Sequence, residues 1–76
     1  MSYISEVADR LVARSMCSSI VGPEIYTMIA DWEKKGIPLV VVLRSVEDIS
    51  ERGGTIEDLR ELVGRNFRVW LQNSET

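Results

Sequence analysis

The chain has no histidine and one cysteine, Cys17, among its 76 residues. Without histidine there is no Ser-His-Asp or Cys-His nucleophilic machinery, and the usual zinc ligand sets cannot be assembled. One cysteine cannot close a disulfide within the chain, so nothing points to an oxidising compartment. Proline is scarce too, with Pro23 and Pro38 the only two. No stretch approaches the roughly 18 to 20 apolar residues that span a bilayer, and the opening MSYISEVADR carries Glu6 and Asp9 where a signal peptide would be apolar. A cytoplasmic protein is the expectation. No cofactor and no small-molecule substrate is evident, and an enzyme is not expected.

What is present is ordinary globular composition, 45% hydrophobic and 28% charged. The formal charge of −3 opposes polyanion binding by net charge, though it leaves room for a local basic patch. This length makes one domain, which buries only about 60% of its unfolded surface. Its stability is therefore thin unless the core is efficient or shared with a partner.

Turn signals fall at Gly22-Pro23, Gly36-Ile37-Pro38 and Gly53-Gly54 and cut the chain into four segments. In the first, Ile4, Val7, Ala8, Leu11, Val12 and Met16 recur at steps of three and four, with Ser2 as cap and Glu6 to Arg10 as a four-residue charge pair. The second opens at Pro23, lines Ile25, Met28, Ile29 and Trp32 along one side, and closes at Lys34-Lys35-Gly36. The fourth begins with Thr55-Ile-Glu-Asp58, close to a capping box, and continues through Leu59, Leu62, Val63, Phe67 and Trp70.

The third segment, KGIPLVVVLRSV, is ambiguous. Its β-branched residues suit a pleated surface, but the only strand to pair with would be Phe67–Leu71, which lies inside a helical pattern. Taken as a helix, Pro38 holds the first position and Leu39, Val42, Leu43, Val46 and Ile49 share an arc, with no breaker before Gly53. The period continues past the valines, so helix is the expectation. Val40 and Val41 then fall off the core arc, among Glu47, Asp48, Glu51 and Arg52. A neighbouring helix covers them, or a partner does, or they are simply exposed, as single apolar residues on a surface often are.

The carboxylates Glu47, Asp48, Glu51, Glu57, Asp58 and Glu61 alternate with Arg44, Arg52, Arg60 and Arg65, including a four-residue pair from Glu61 to Arg65. That pattern describes a solvated, self-neutralising surface better than a metal or acid–base site. Arg60, Arg65 and Arg68 beside Phe67 and Trp70 could serve single-stranded nucleic acid, with rings to stack on bases. Core packing is the simpler account of the two rings. Gly64, inside a helical stretch, either permits a close crossing, within the chain or across a dimer, or is merely tolerated. Cys17 sits near a helix C-terminus, which opposes a thiolate, so it is expected to behave as a small hydrophobe.

From Pro23 to Leu71 the layout P-E-I, W-E-K-K-G-I, V-V-L-R-S-V, E-R-G and N-F-R-V-W resembles the helical domain of DnaD- and DnaB-type bacterial replication-initiation proteins. The resemblance is carried by Trp32, Gly36, the Val41–Val46 region, Arg52-Gly53 and Trp70. The family's closing motif has a tyrosine and an Ile-Leu pair where this chain has Leu62-Val63 and Asn66-Phe67. The resemblance implies a helical fold and contact with DNA through the last helix and the tail beyond it; here only six residues follow Trp70.

The expected fold is all-α: four helices near 3–18, 23–35, 38–52 and 55–72 in a single domain, with a frayed tail at 73–76. The expected function is a non-catalytic protein–protein interaction module, self-associating or part of a larger assembly, with Val40, Val41, Gly64 and Leu71 as contact residues. The alternative is a nucleic-acid-contacting accessory of replication or regulation that uses Arg60, Arg65 and Arg68.

Overall fold

The computed structural model describes residues 2–16 and 22–74, all in helices and short links, with no strand among them. Four helices run α1 Tyr3–Ala13, α2 Pro23–Lys34, α3 Leu39–Arg52 and α4 Ile56–Ser74. The fold is the expected all-α bundle, and the valine-rich segment coils.

The helix ends follow from local chemistry. The Ser2 hydroxyl accepts from the Ser5 amide at 3.0 Å and caps α1. At α4 the capping box is complete: the Asp58 amide donates to Thr55 Oγ1 at 3.2 Å, and the Thr55 amide donates to Asp58 Oδ2 at 3.0 Å. Thr55→Ala removes half of this exchange and is expected to cost about 1 kcal/mol. That would lower the melting temperature by about 5 °C, as read by circular dichroism.

Gly36 and Gly53 end α2 and α3 in the left-handed conformation, at φ 79° and 69°. In each case the next two amides turn back onto the helix. Gly36 and Ile37 donate to the carbonyls of Glu33 and Trp32, and Gly53 and Gly54 to those of Ser50 and Ile49. The same motif ends α1, where it overturns the expected boundary. Ser15 adopts φ 59°, and the amides of Ser15 and Met16 donate to Val12 and Leu11 at 3.0 and 2.9 Å. The helix therefore stops at Ala13 rather than 18; Cys17 and Ser18 lie outside the described residues. Met16 still packs against the core, from beyond the helix, which is why it fits the helical spacing.

Two smaller corrections concern α3 and α4. Pro38 caps α3 with an extended backbone (ψ 142°) instead of occupying its first turn, and its carbonyl accepts from Val41 and Val42. At the other end Asn73 and Ser74, expected in a frayed tail over 73–76, are helical; residues 75 and 76 lie outside the described residues.

Tyr3 at the head of α1 donates its hydroxyl to the Ile37 carbonyl at 2.8 Å, just past the end of α2, so α1 and α2 run antiparallel. Burial, and then the negative charge of Glu33, push this phenol up to about 12, so it stays a donor. Arg10 and Arg14 reach Glu47, which sets α3 parallel to α1. Asn66 reaches Ser45, which sets α4 antiparallel to α3. The core joins Val7, Ala8 and Leu11 of α1 with Met28, Ile29 and Trp32 of α2. Ile37 and Val41, Val42, Val46 and Ile49 of α3 meet them, as do Leu59, Leu62 and Val63 of α4. α3 is the central element, packed on α1 at one side and on α4 at the other.

Candidate interaction surface

α4 does not use its whole length in the bundle. Leu59, Leu62 and Val63 in its first half are buried, Phe67 is half-buried, and Trp70 is 41% exposed although it continues the same stripe. Nineteen residues make a helix of about 28 Å, against about 17 Å for the eleven of α1. The stripe on α4 thus outruns the helices that could cover it. Trp70 stacks on Phe67, with ring centroids 6.3 Å apart and planes 21° apart, which holds the indole against its own helix.

Beside this end of α4 lies the start of α3, where Val40 is 55% exposed, and Val69 is exposed on the neighbouring turn of α4. Val40, Val41, Val69 and Trp70 border one groove along the outer side of the α3–α4 pair. Arg44, Glu47, Asp48 and Glu51 of α3 line it further along, with Asn66 and Asn73 of α4. Asn66 is fixed there by a bond to the fully buried Ser45 hydroxyl at 2.9 Å, while that hydroxyl donates to the Val41 carbonyl at 2.8 Å. The two helices are pinned by this bridge, and the groove between them is a formed feature.

The four expected contact residues separate. Val40 is exposed in the groove. Val41 is 6% exposed and belongs to the core, because α4 packs over that flank of α3, and it borders the groove from beneath. Gly64 makes no close crossing within the chain, since a Cβ built there meets nothing within 4 Å; it faces outward on α4. Leu71 is 41% exposed, on the outer face of α4 rather than in the groove. Val69 and Trp70, exposed at this groove, were not among the expected contact residues, Trp70 because helical spacing alone assigned it to the core. The signal for both lay in the length of the fourth segment relative to the first two.

Arg60, Arg65 and Arg68 are exposed, and none forms an ion pair among the described residues. Arg60 lies beside α2, across a groove bordered by Ile25, Met28, Trp32 and Ile56. Arg65 lies near Asp58 and Glu61 at the α3–α4 link. The three therefore do not form a single stripe, and Glu57 and Glu61 stand among them. The expected four-residue pairs Glu6–Arg10 and Glu61–Arg65 do not form; Asp31–Lys35 at 3.0 Å and Asp48–Arg52 at 3.2 Å do.

Arg10 turns instead to Glu47. Its Nη1 lies 2.6 Å from Oε1, and Arg14 Nη2 lies 2.6 Å from Oε2, so one carboxylate takes two guanidinium groups from α1. The hydrogen bond from Arg10 is the largest of the influences that hold Glu47 below its ordinary 4.5. A depressed carboxylate stabilises the fold above its unfolded value and loses that contribution as pH falls through the folded one. Glu47→Gln is therefore expected to lower the urea midpoint at neutral pH. The gap from wild type should close as pH falls below about 4.5 and narrow in high salt. A gap that does not change with pH would show that the triad contributes nothing ionic.

Among the described residues no group of three or more Cys, Asp or Glu is placed to hold a metal ion, and no helix is long and apolar enough to cross a membrane. Compared with protein-family models, curated proteins and solved structures, the chain matches none.

Proposed function

We propose that this chain is a non-catalytic, cytoplasmic interaction module that associates with itself through the outer groove of α3 and α4. The observation that carries the reading is the clustering of Val40, Val69 and Trp70, all exposed, along one formed groove. Scattered single apolar residues are normal on a surface; a contiguous set with an aromatic at its centre is typical of contact sites. A small core that leaves the end of its longest helix uncovered gains stability by sharing that end.

Sedimentation equilibrium of the intact chain tests this. Wild type is expected to be dimeric at micromolar concentration, and Val40→Asp to be monomeric with its helix content intact. A wild type that is monomeric at high micromolar concentration ends the reading.

A second reading, nucleic-acid contact, draws support from Arg60, Arg65 and Arg68, which are free of ion pairs among the described residues. It expects salt-sensitive binding that weakens when Arg65 and Arg68 are neutralised together. No shift of a labelled single-stranded or duplex oligonucleotide at low salt would dispose of it. The acidic residues interleaved with those arginines place this reading second.

A further inference from the structure

We propose that the groove between α1 and α3 receives Trp70 of a second copy of this chain, so that two copies exchange these rings across Val40. This rests on the self-association reading and adds the seat for the exposed indole and the chemistry that recognises it.

The seat is a second groove, bordered by Leu39, Val40 and Leu43 of α3, with Arg10, Arg44 and Glu47 at its rim. Leu39 and Leu43 are half-buried, so the floor is apolar and open. Glu47 is the only carboxylate among the described residues that borders it, and both of its oxygens are engaged by Arg10 and Arg14. Arg44 is exposed and has no ion pair among the described residues. Three guanidinium groups thus stand around one carboxylate, beside an apolar floor. An aromatic ring suits that setting, being apolar itself while its electron-rich face attracts a cation, and tryptophan does so best.

The chain offers such a ring in the right place. Tyr26 and Trp70 are both exposed, but only Trp70 adjoins Val40. Phe67 stacks on one face of the indole and leaves the rest of it to a partner. Val40 borders both grooves, the one that holds Trp70 and the one beside α1. At 100° per residue, Leu39 and Leu43 lie about 100° and 60° to one side of Val40, and Val41, toward α4, about 100° to the other. Ring and seat therefore flank Val40 on opposite sides, and one copy cannot carry its own ring across. A twofold axis running along α3 over Val40 does so twice, setting each Trp70 above the other copy's Leu39 and Leu43. The heights agree as well. Asn66 is level with Ser45, to which it bonds, so Trp70, one turn further along α4, is level with Val41, inside the span of the seat. Knob and hole lie on one patch, which is what an isologous contact requires. The two α3 helices cross at Val40, so Asp48 and Glu51, about 12 and 16 Å further along, lie beyond the contact.

The test uses variants of the intact chain at both ends of this contact, read by sedimentation equilibrium. Arg44→Gln is expected to raise the dimer dissociation constant roughly fivefold to thirtyfold, since each dimer holds two seats. Arg44→Lys keeps a cation and is expected to stay within about threefold of wild type. Trp70→Leu keeps an apolar knob without the electron-rich face, and in that chain Arg44→Gln is expected to add less than about twofold. Arg44 is exposed and unpaired, so helix content should not change. If Arg44→Gln leaves the constant unchanged while Val40→Asp still yields monomer, the copies meet by another arrangement and only this inference falls. An Arg44→Gln loss that persists undiminished beside Trp70→Leu assigns the arginine to another group and overturns it as well. Should Trp70→Leu prove wholly monomeric, the two Arg44 variants decide, and equal losses with glutamine and lysine overturn the inference. A monomeric wild type removes both this inference and the reading beneath it.

Discussion

Aspartate at Val41 is expected to destabilise the fold by several kcal/mol, whereas aspartate one residue earlier leaves the fold standing and changes only its mass in solution. Val41 is 6% exposed and packed among core residues, so an aspartate there must bury an unpaired carboxylate or displace α4. Burial of an uncompensated charge costs roughly 3 to 5 kcal/mol. A chain of 76 residues has a net stability of about 4 to 11 kcal/mol, at roughly 0.05–0.15 kcal/mol per residue. One substitution then removes a third of the stability or all of it. Acid should restore part of the loss. A buried carboxyl has its folded value raised, so the penalty is present above that value and fades as pH falls through it. Val40 is 55% exposed, and aspartate there should move the melting temperature by no more than a surface change does, about 0.5 kcal/mol in stability. Urea titration of both variants, beside their sedimentation masses, separates the two roles. Equal destabilisation by the two substitutions would contradict the assignment of Val41 to the core and Val40 to the surface.

The same pair of valines marks where the sequence stops being legible. Helical spacing is a local property, so the four helices and most of their buried faces could be read from steps of three and four. Val42, Val46, Leu59 and Val63 are fully buried where the pattern placed them. Which flank of α3 receives α4 depends on packing between distant segments, so Val40 and Val41 stood equal in the sequence and diverge in the fold. Arg10 shows the same limit. Its four-residue neighbour Glu6 is within local reach, yet it pairs with Glu47, 37 positions away. The end of α1 was hidden for a different reason: serine carries a left-handed turn that glycine usually signals. Trp70 was hidden by a stripe that continues after the bundle has ended, since a repeat cannot report the length of the helices opposite it.

That limit on α4 leads to the second large effect. Leu59→Ala is expected to cost about 3 kcal/mol, within the 2 to 5 kcal/mol range for a leucine truncated in a packed core. Leu59 is fully buried where α4 closes the bundle, and the chain around it has little freedom to collapse into the space. The position sits one turn into α4, so the loss falls on the contact that fastens α4 to the other helices. Trp70→Ala should behave differently although the removed ring is larger. The indole is 41% exposed and stacks on Phe67 of its own helix, so the isolated monomer is expected to lose less. If the chain associates as proposed, its main contribution is expected once a second copy covers it, and stability gained by association grows with protein concentration. Urea midpoints measured at two concentrations a hundredfold apart distinguish the two positions. The deficit of Leu59→Ala should be the same at both, because the missing contacts lie within one chain. The deficit of Trp70→Ala should be small when dilute and larger when concentrated. A Trp70→Ala deficit that does not change with concentration would assign the ring to the monomer and leave the groove without its central contact.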